Sequence, residues 1–209
     1  MAGEVKFLVF AKAPVPGEVK TRLVPLLGEE SAAELHRRLV LHTLNTVREV
    51  SDAVTLYCAP DARHAFFAAC AKRYGVELAD QCHGDLGVRM LQACIEQLDA
   101  GTALVVVGTD CPALSADRLG GAVVALAQGA HVSLAPAEDG GYALIGLKRC
   151  AAELFTGIPW GTDTVMSETR SRLQRLGWNW TELEPVWDVD RPADYDRLRT
   201  EGWLDVLPQ

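Results

Sequence analysis

The chain reads as an α/β protein, a three-layer α/β/α sandwich around a mostly parallel central sheet. Three observations predict this. "VKFLVF" (5–10) and "ALVVVG" (103–108) are continuous apolar runs bounded by turn residues, which suits strands buried on both faces. Amphipathic helical patterns alternate with these and other strand-like runs. No Pro/Gly-rich linker or low-complexity segment divides the 209 residues, so one domain spanning 1–209 is expected.

Taken in order, the first strand at 5–10 is followed by a loop rich in proline and basic residues. A helix is predicted from Glu30 to Val50, where Leu35, Leu39, Thr43, Val47 and Val50 fall on one side. "AVTLYCA" (53–59) and the shorter "VELA" (76–79) read as strands. From Asp85 to Leu98, the residues Leu86, Met90, Leu91, Cys94, Ile95 and Leu98 form a second apolar stripe. The strand at 103–108 leads to a third stripe, Leu119, Ala122, Val123 and Leu126. "HVSLAP" (131–136) and "YALIGL" (142–147) complete the strands. Pro192 opens a helix, "PADYDRLR", in proline's favoured first turn. Trp203–Gln209 reads as a surface tail.

Composition narrows the function. A net charge of −8 argues against a nucleic-acid binder, which shows a basic face. No window reaches about 18 apolar residues, so no membrane span is expected, and a soluble cytoplasmic protein is. The six cysteines form no CxxC pair and read as reduced, mostly buried thiols.

Ligands of open α/β sheets bind beyond the carboxyl ends of the strands. Four polar stations follow predicted strands and gather on that edge. The first is "FAKAPVPGEVKTRL" (10–23). It lacks both the P-loop pattern, with Pro14 and Val19 where glycines belong, and the GxGxxG fingerprint. Lys12, Lys20 and Arg22 nevertheless supply cations for phosphate, Gly17 permits close backbone approach, and Pro14 and Pro16 stiffen the loop. The second is Asp110 in "GTDCP", placed directly after a buried strand as a magnesium ligand or a turn cap. The third is "AEDGGY", where Asp139 serves an acceptor, a metal or a proton, or closes a plain hairpin turn. The fourth is "DVD": Asp188 and Asp190 point the same way in an extended chain and call for a cation or hydrogen-bond donors between them, although Asp190 also fits a helix start.

Six ordered blocks, "FAKAPVPGEVKTRL", "GDLGVRM", "GTDCPAL", "PAEDGGYALIGL", "IPWGTDTV" and "DVDRPADYDRL", resemble a family of small bacterial glycosyltransferase-like proteins with the GT-A (nucleotide-diphospho-sugar transferase) fold. They are similar to the guanylyltransferases that act on 2-phospholactate and on molybdenum cofactor. The resemblance spans about residues 4–200. It implies that Lys12, Gly17, Lys20 and Arg22 hold nucleotide phosphates, with Lys20 and Arg22 stabilising the charge that grows in the reaction. Asp110, Asp188 and Asp190 would hold Mg²⁺ or Mn²⁺. Asp139, Gly140 and Gly141 would face the acceptor, with Trp160 stacking on it or lying in the core. Asp85 and Arg89 would line the nucleotide or acceptor pocket, or act as a helix cap and a solvated arginine. Arg191 stands where the related block has Thr, and "TDCP" carries one acid where sugar transferases usually carry DxD.

The expected activity is metal-dependent nucleotidyl transfer from a nucleoside triphosphate to a small anionic acceptor, with pyrophosphate release. The alternatives are a glycosyltransferase using a nucleotide-sugar, with Asp139 or Glu138 as base, and a non-catalytic nucleotide-binding module.

Overall fold

A computed structural model describes residues 4–209. Seven strands form one sheet in the order β3-β2-β1-β4-β6-β5-β7. They are β1 (Val5–Lys12), β2 (Val54–Ala59), β3 (Glu77–Asp80), β4 (Ala103–Gly108), β5 (Val132–Pro136), β6 (Tyr142–Leu147) and β7 (Trp180–Glu182). Neighbours pair in parallel except that β6 runs antiparallel to both β4 and β5. The helices are α1 (Val24–Leu27), α2 (Glu29–Arg48), α3 (Ala65–Tyr74), α4 (Leu86–Gln97), α5 (Ala116–Ala127), α6 (Val165–Arg175), α7 (Pro192–Thr200) and α8 (Trp203–Val206). The three-layer, mostly parallel architecture is the one the sequence predicts.

Successive residues of a strand point to opposite faces, and the core divides accordingly. Phe7 and Val9 of β1 and Val105 and Val107 of β4 pack with Val40, Leu44, Phe67 and Leu119, which belong to α2, α3 and α5. Leu8, Leu104 and Val106 face the other way, toward Met90 and Cys94 of α4 and Met166 and Leu173 of α6. This two-sided burial is why β1 and β4 read as unbroken apolar runs. β1 and β4 lie side by side, and the sheet grows outward from this pair in both directions. The carboxyl ends of the central strands, Lys12 and Gly108, therefore open into one crevice. Because β6 runs backwards, its first residue, Tyr142, also sits at that edge.

α3, α6 and β7, like the four-residue α1, carried too weak a pattern to be recognised from sequence. α6 buries only Val165, Met166, Thr169 and Leu173 among polar residues, and β7 is three residues long at the sheet edge. α3 follows a His64 cap whose ring accepts from the Phe66 N–H.

The C-terminal stretch expected as a surface tail is docked. Trp203–Val206 form α8, and Leu207 is 2% exposed in a small cluster with Leu23, Leu35 and Leu39. Arg38 of α2 donates to the carbonyls of Leu207 at 2.7 Å and Pro208 at 3.0 Å, answering groups that would otherwise lack partners. Among the described residues, no helix is long and apolar enough to cross a membrane. Leu207→Ala is expected to cost about 2–4 kcal/mol in urea denaturation. A loss under about 0.5 kcal/mol is what a solvated tail gives.

Candidate active site

The basic loop begins where β1 ends. Val15–Glu18 form a tight turn closed by Glu18 N–H to the Val15 carbonyl at 3.1 Å, with Pro16 and Gly17 in the middle. Gly17 has φ +79, the left-handed conformation that a type II turn requires after proline. Lys20 repeats the left-handed geometry at φ 48, the one non-glycine residue to do so among those described. Held positive φ at a non-glycine residue stores strain and clusters at functional sites. Here it turns the Lys20 side chain inward, where it is only 5% exposed.

The ammonium of Lys20 is spent on two oxygens. It ion-pairs with Asp110 and donates to the Val189 carbonyl at 2.6 Å. Arg22 pairs with Asp190 in the same way. These contacts join segments far apart in sequence, and the backbone explains how. Glu138 N–H reaches the Val186 carbonyl at 2.9 Å, and Val186 N–H reaches Pro136 at 2.8 Å, so the 183–189 run follows the end of β5. Val189 N–H then bonds the Asp110 carbonyl at 2.9 Å, which sets Asp188 and Asp190 beside Asp110. Asp194 accepts from the N–H of Asp190 and of Arg191, at 3.1 and 2.6 Å, and fixes the start of α7. The helix start is thus secured by Asp194, so an arginine at 191 leaves it intact.

The result is one cleft with two lobes that share Phe10, Arg22, Leu86, Gly108, Asp110 and Asp190. The first lobe, about 610 Å³, is lined by Lys12, Lys20, His36, Gln81 and Arg89. The second, about 370 Å³, is lined by Asp139, Gly141, Tyr142, Trp160 and Asp188. A further hollow of about 650 Å³ lies against α2 with Tyr195 and Leu204, and only Pro14 and Pro16 of the loop reach it.

Not every expected residue reaches the cleft. Asp85 caps α4, accepting from Val88 N–H at 2.9 Å, and lines neither lobe. Arg89 does line the first lobe, held by the Gly84 carbonyl at 2.9 Å. Glu138 is tied to Arg197 at 3.0 Å. Asp139 both closes its hairpin, accepting Gly141 N–H at 2.9 Å, and lines the second lobe. Gly140, at φ +89, packs its bare Cα face against the backbone of Asp163, where a Cβ would strike. Trp160 meets Tyr142 edge-on at 6.1 Å and lines the lobe while packing on the core, so both readings of it hold.

Three lining residues were missed. His36 sits on the apolar stripe of α2 and reads as core, yet its Nε2 donates to the Lys12 carbonyl at 3.0 Å. Burial lowers its pKa further than Asp110 restores it. Gln81 donates to the carbonyls of Ala11 and Tyr57, at 3.2 and 2.9 Å, and closes the first lobe beneath β1 and β2. Tyr142 was legible only as a strand start.

The acids differ in how readily they ionise. Burial works to raise the Asp110 carboxyl, but Lys20, His36 and Lys12 overcome it and hold it below the usual range. Asp188 is pushed up to about 6, by burial first and then by the neighbouring charges of Asp139 and Asp110. Among the described residues, no three acidic, His or Cys side chains converge into a metal cage, and two tethered cations stand against two of the expected ligands.

The fold is shared with known structures. A nucleotide-diphospho-sugar transferase candidate from Desulfovibrio desulfuricans G20 is 31% identical, with TM-score 0.85 over 96% of this chain and 88% of that one. CMP:2-keto-3-deoxy-manno-octonic acid synthetase in complex with CTP is 12% identical, with TM-score 0.61 over 97% and 99%. Rv0371c of Mycobacterium tuberculosis H37Rv, in a complex with manganese, is 16% identical, with TM-score 0.54 over 95% and 98%. No curated protein matches the chain in sequence. The architecture is the nucleotide-diphospho-sugar transferase fold. A family model described as "Uncharacterized protein conserved in bacteria (DUF2064)" matches residues 43–162, and the chain belongs to that family.

Proposed function

We propose that the protein is a transferase, working as one domain, that binds a nucleoside triphosphate in the first lobe and transfers a nucleotidyl group to a small acceptor in the second. The observation that carries this is the convergence of Lys12, Lys20 and Arg22 on a lobe that opens directly onto Asp110 and Asp190. A polyphosphate brings about three to four negative charges, which these cations meet in geometry suited to phosphate oxygens. The CTP complex of a protein of the same fold supports the ligand class, as does the likeness of the sequence blocks to guanylyltransferases.

In the reaction an acceptor oxygen bonds to the α-phosphorus while the bond from that phosphorus to the bridging oxygen breaks. Pyrophosphate leaves with the electron pair. Lys20 and Arg22 stabilise the charge that grows on the phosphate oxygens. To do so, they exchange carboxylate partners for phosphate.

That exchange frees a donor set whose chemistry fits a hard divalent cation. Asp110, Asp188 and Asp190 offer carboxylate oxygens that line one lobe together. Mg²⁺, or Mn²⁺ as in the Rv0371c complex, supplies charge neutralisation on phosphate when bound there. Lys20 thus acts as a tethered cation that keeps Asp110 neutralised until the nucleotide arrives.

The 31% identical neighbour favours a second reading, glycosyl transfer from a nucleotide-sugar, with Asp139 rather than the Arg197-bound Glu138 as base. Thermal shift separates the two. A triphosphate present at about 100 times its Kd adds about 2.7 kcal/mol of stability. Stabilisation by CTP, GTP, ATP or UTP but not by nucleotide-sugars is expected; the reverse pattern selects the second reading.

Lys20→Met is expected to abolish the triphosphate shift. It should also tighten Mn²⁺ binding without nucleotide about tenfold in calorimetry, or about 1.4 kcal/mol, because the competing ammonium is gone. Unchanged Mn²⁺ affinity contradicts the exchange. For Asp188, the folded pKa lies above its unfolded value of about 3.9. Between about pH 4 and 6 the folded chain therefore keeps a proton that the unfolded chain has lost, and stability falls as pH rises through that window. Asp188→Asn is expected to stabilise the protein by about 1–2 kcal/mol at pH 7.5 and not at pH 4, measured by urea denaturation. Equal stability of the two proteins at both pH values contradicts the assignment.

A further inference from the structure

We infer that Cys94 and Cys150 form a redox-active dithiol, a modification site that a two-electron oxidant such as hydrogen peroxide closes into a disulfide. The site lies at the sheet edge opposite the cleft and stands independently of the nucleotidyl-transfer reading.

The topology brings the two residues together. The cleft opens at the carboxyl ends of β1 and β4. α4 leads into β4 through the short link 98–102, so its last turn, which carries Cys94, lies toward the other end of that strand. β6 runs antiparallel to β4 and finishes at that same end, where Leu147 pairs with Leu104. The chain reaches Cys150 three residues later. Cys94 is fully buried in a cluster with Met90, Leu104, Leu147 and Leu154, and Cys150 packs against that cluster. The two side chains hydrogen-bond one another, with the Cys94 S–H donating to the Cys150 sulfur.

The pair has the asymmetry that dithiol oxidation needs. Cys150 is half-buried and keeps surface open to a small oxidant, whereas Cys94 is buried. The S–H donated by Cys94 favours the Cys150 thiolate and holds its pKa below the usual thiol range. The same bond, with burial, pushes Cys94 up. The accessible sulfur is therefore the nucleophile, and the buried one keeps its proton.

The other four cysteines lack this arrangement. Cys58, Cys70 and Cys111 are buried. Burial pushes Cys58 up to about 12 and Cys70 up to about 11. It raises Cys111 too, with Asp110 adding to the effect. Such thiols stay protonated and unreactive. Cys82 is half-buried, but its sulfur meets the Val88 carbonyl at 3.7 Å rather than a second thiol.

In the reaction the Cys150 thiolate bonds to one peroxide oxygen while the O–O bond breaks. Hydroxide leaves and takes up a proton from solvent, which leaves Cys150 as the sulfenic acid. The Cys94 sulfur then bonds to the Cys150 sulfur, and the S–O bond breaks. The hydroxyl departs with the Cys94 proton as water. Two thiols have lost two electrons and two protons, and the peroxide is reduced to two waters. The disulfide ties the last turn of α4 to the chain leaving β6, and the same helix supplies Leu86 and Met90 to the cleft.

Peptide mapping tests this on the full chain. The reduced protein is treated with a small excess of hydrogen peroxide, alkylated with iodoacetamide in denaturant, and digested without reduction for mass spectrometry. The peptides holding Cys94 and Cys150 are expected to appear linked, two hydrogens lighter than the free pair, with the other four cysteines alkylated. Dithiothreitol should restore both thiols. Cys150→Ser, at a half-buried position, should abolish the linkage and leave Cys94 alkylated. Cys94→Ser should stop the reaction at the Cys150 sulfenic acid, which dimedone traps. Alkylation of both Cys94 and Cys150 in the peroxide-treated wild-type protein overturns the inference. A disulfide joining either of them to Cys82 does the same, as does dimedone labelling of Cys82 ahead of Cys150.

Discussion

The contact between Lys20 and Asp110 organises the cleft. A lysine ammonium only 5% exposed is costly to bury without a counter-charge and hydrogen-bond acceptors. Asp110 at the end of β4 gives the charge, and the Val189 carbonyl gives a second acceptor. Satisfying that one cation pins the loop after β1, the turn after β4 and the run before α7 to one another. The left-handed backbone at Lys20 is the local strain that this arrangement holds in place.

From that junction the two lobes acquire different chemistry. The first has the loop cations and a floor of satisfied groups, His36 and Gln81, whose polar atoms are turned onto strand-end carbonyls. Its cations, Lys12, Lys20, Arg22 and Arg89, suit it to anions. The second mixes apolar side chains such as Met90, Val106 and Ile145 with Asp139 and Asp188, which form no salt bridge among the described residues. Asp110 lies at the boundary and lines both. Asp190 lies there too, and two binding lobes meeting over shared carboxylates are the arrangement a bisubstrate transfer needs.

How much of this the residues announced depends on the range of the interaction. The unbroken apolar runs of β1 and β4 signalled strands buried on both faces, and the strand-end rule then placed Lys12, Lys20, Arg22 and Asp110 on one edge. The pairings across that edge were not legible, since Lys20 and Asp110 lie 90 positions apart and Arg22 and Asp190 lie 168 apart. The expected carboxylate metal set therefore gave no hint that lysine and arginine stand against it. Asp85 fitted both a cap and a pocket at the same spacing, and only the Val88 N–H contact decides. An apolar run has no visible direction, so the reversal of β6 that delivers Tyr142 to the site was hidden. His36 was masked by the helical stripe it interrupts, and the docking of Leu207 depends on an arginine far upstream.

The central claim is that the loop cations leave their carboxylates for phosphate. A crystal structure with a non-hydrolysable nucleoside triphosphate tests it most directly. The expected result places the phosphates against Lys12, Lys20 and Arg22, with the Lys20 ammonium drawn off Asp110. Triphosphate bound elsewhere, with Lys20 still seated on Asp110 and the Val189 carbonyl, would contradict it.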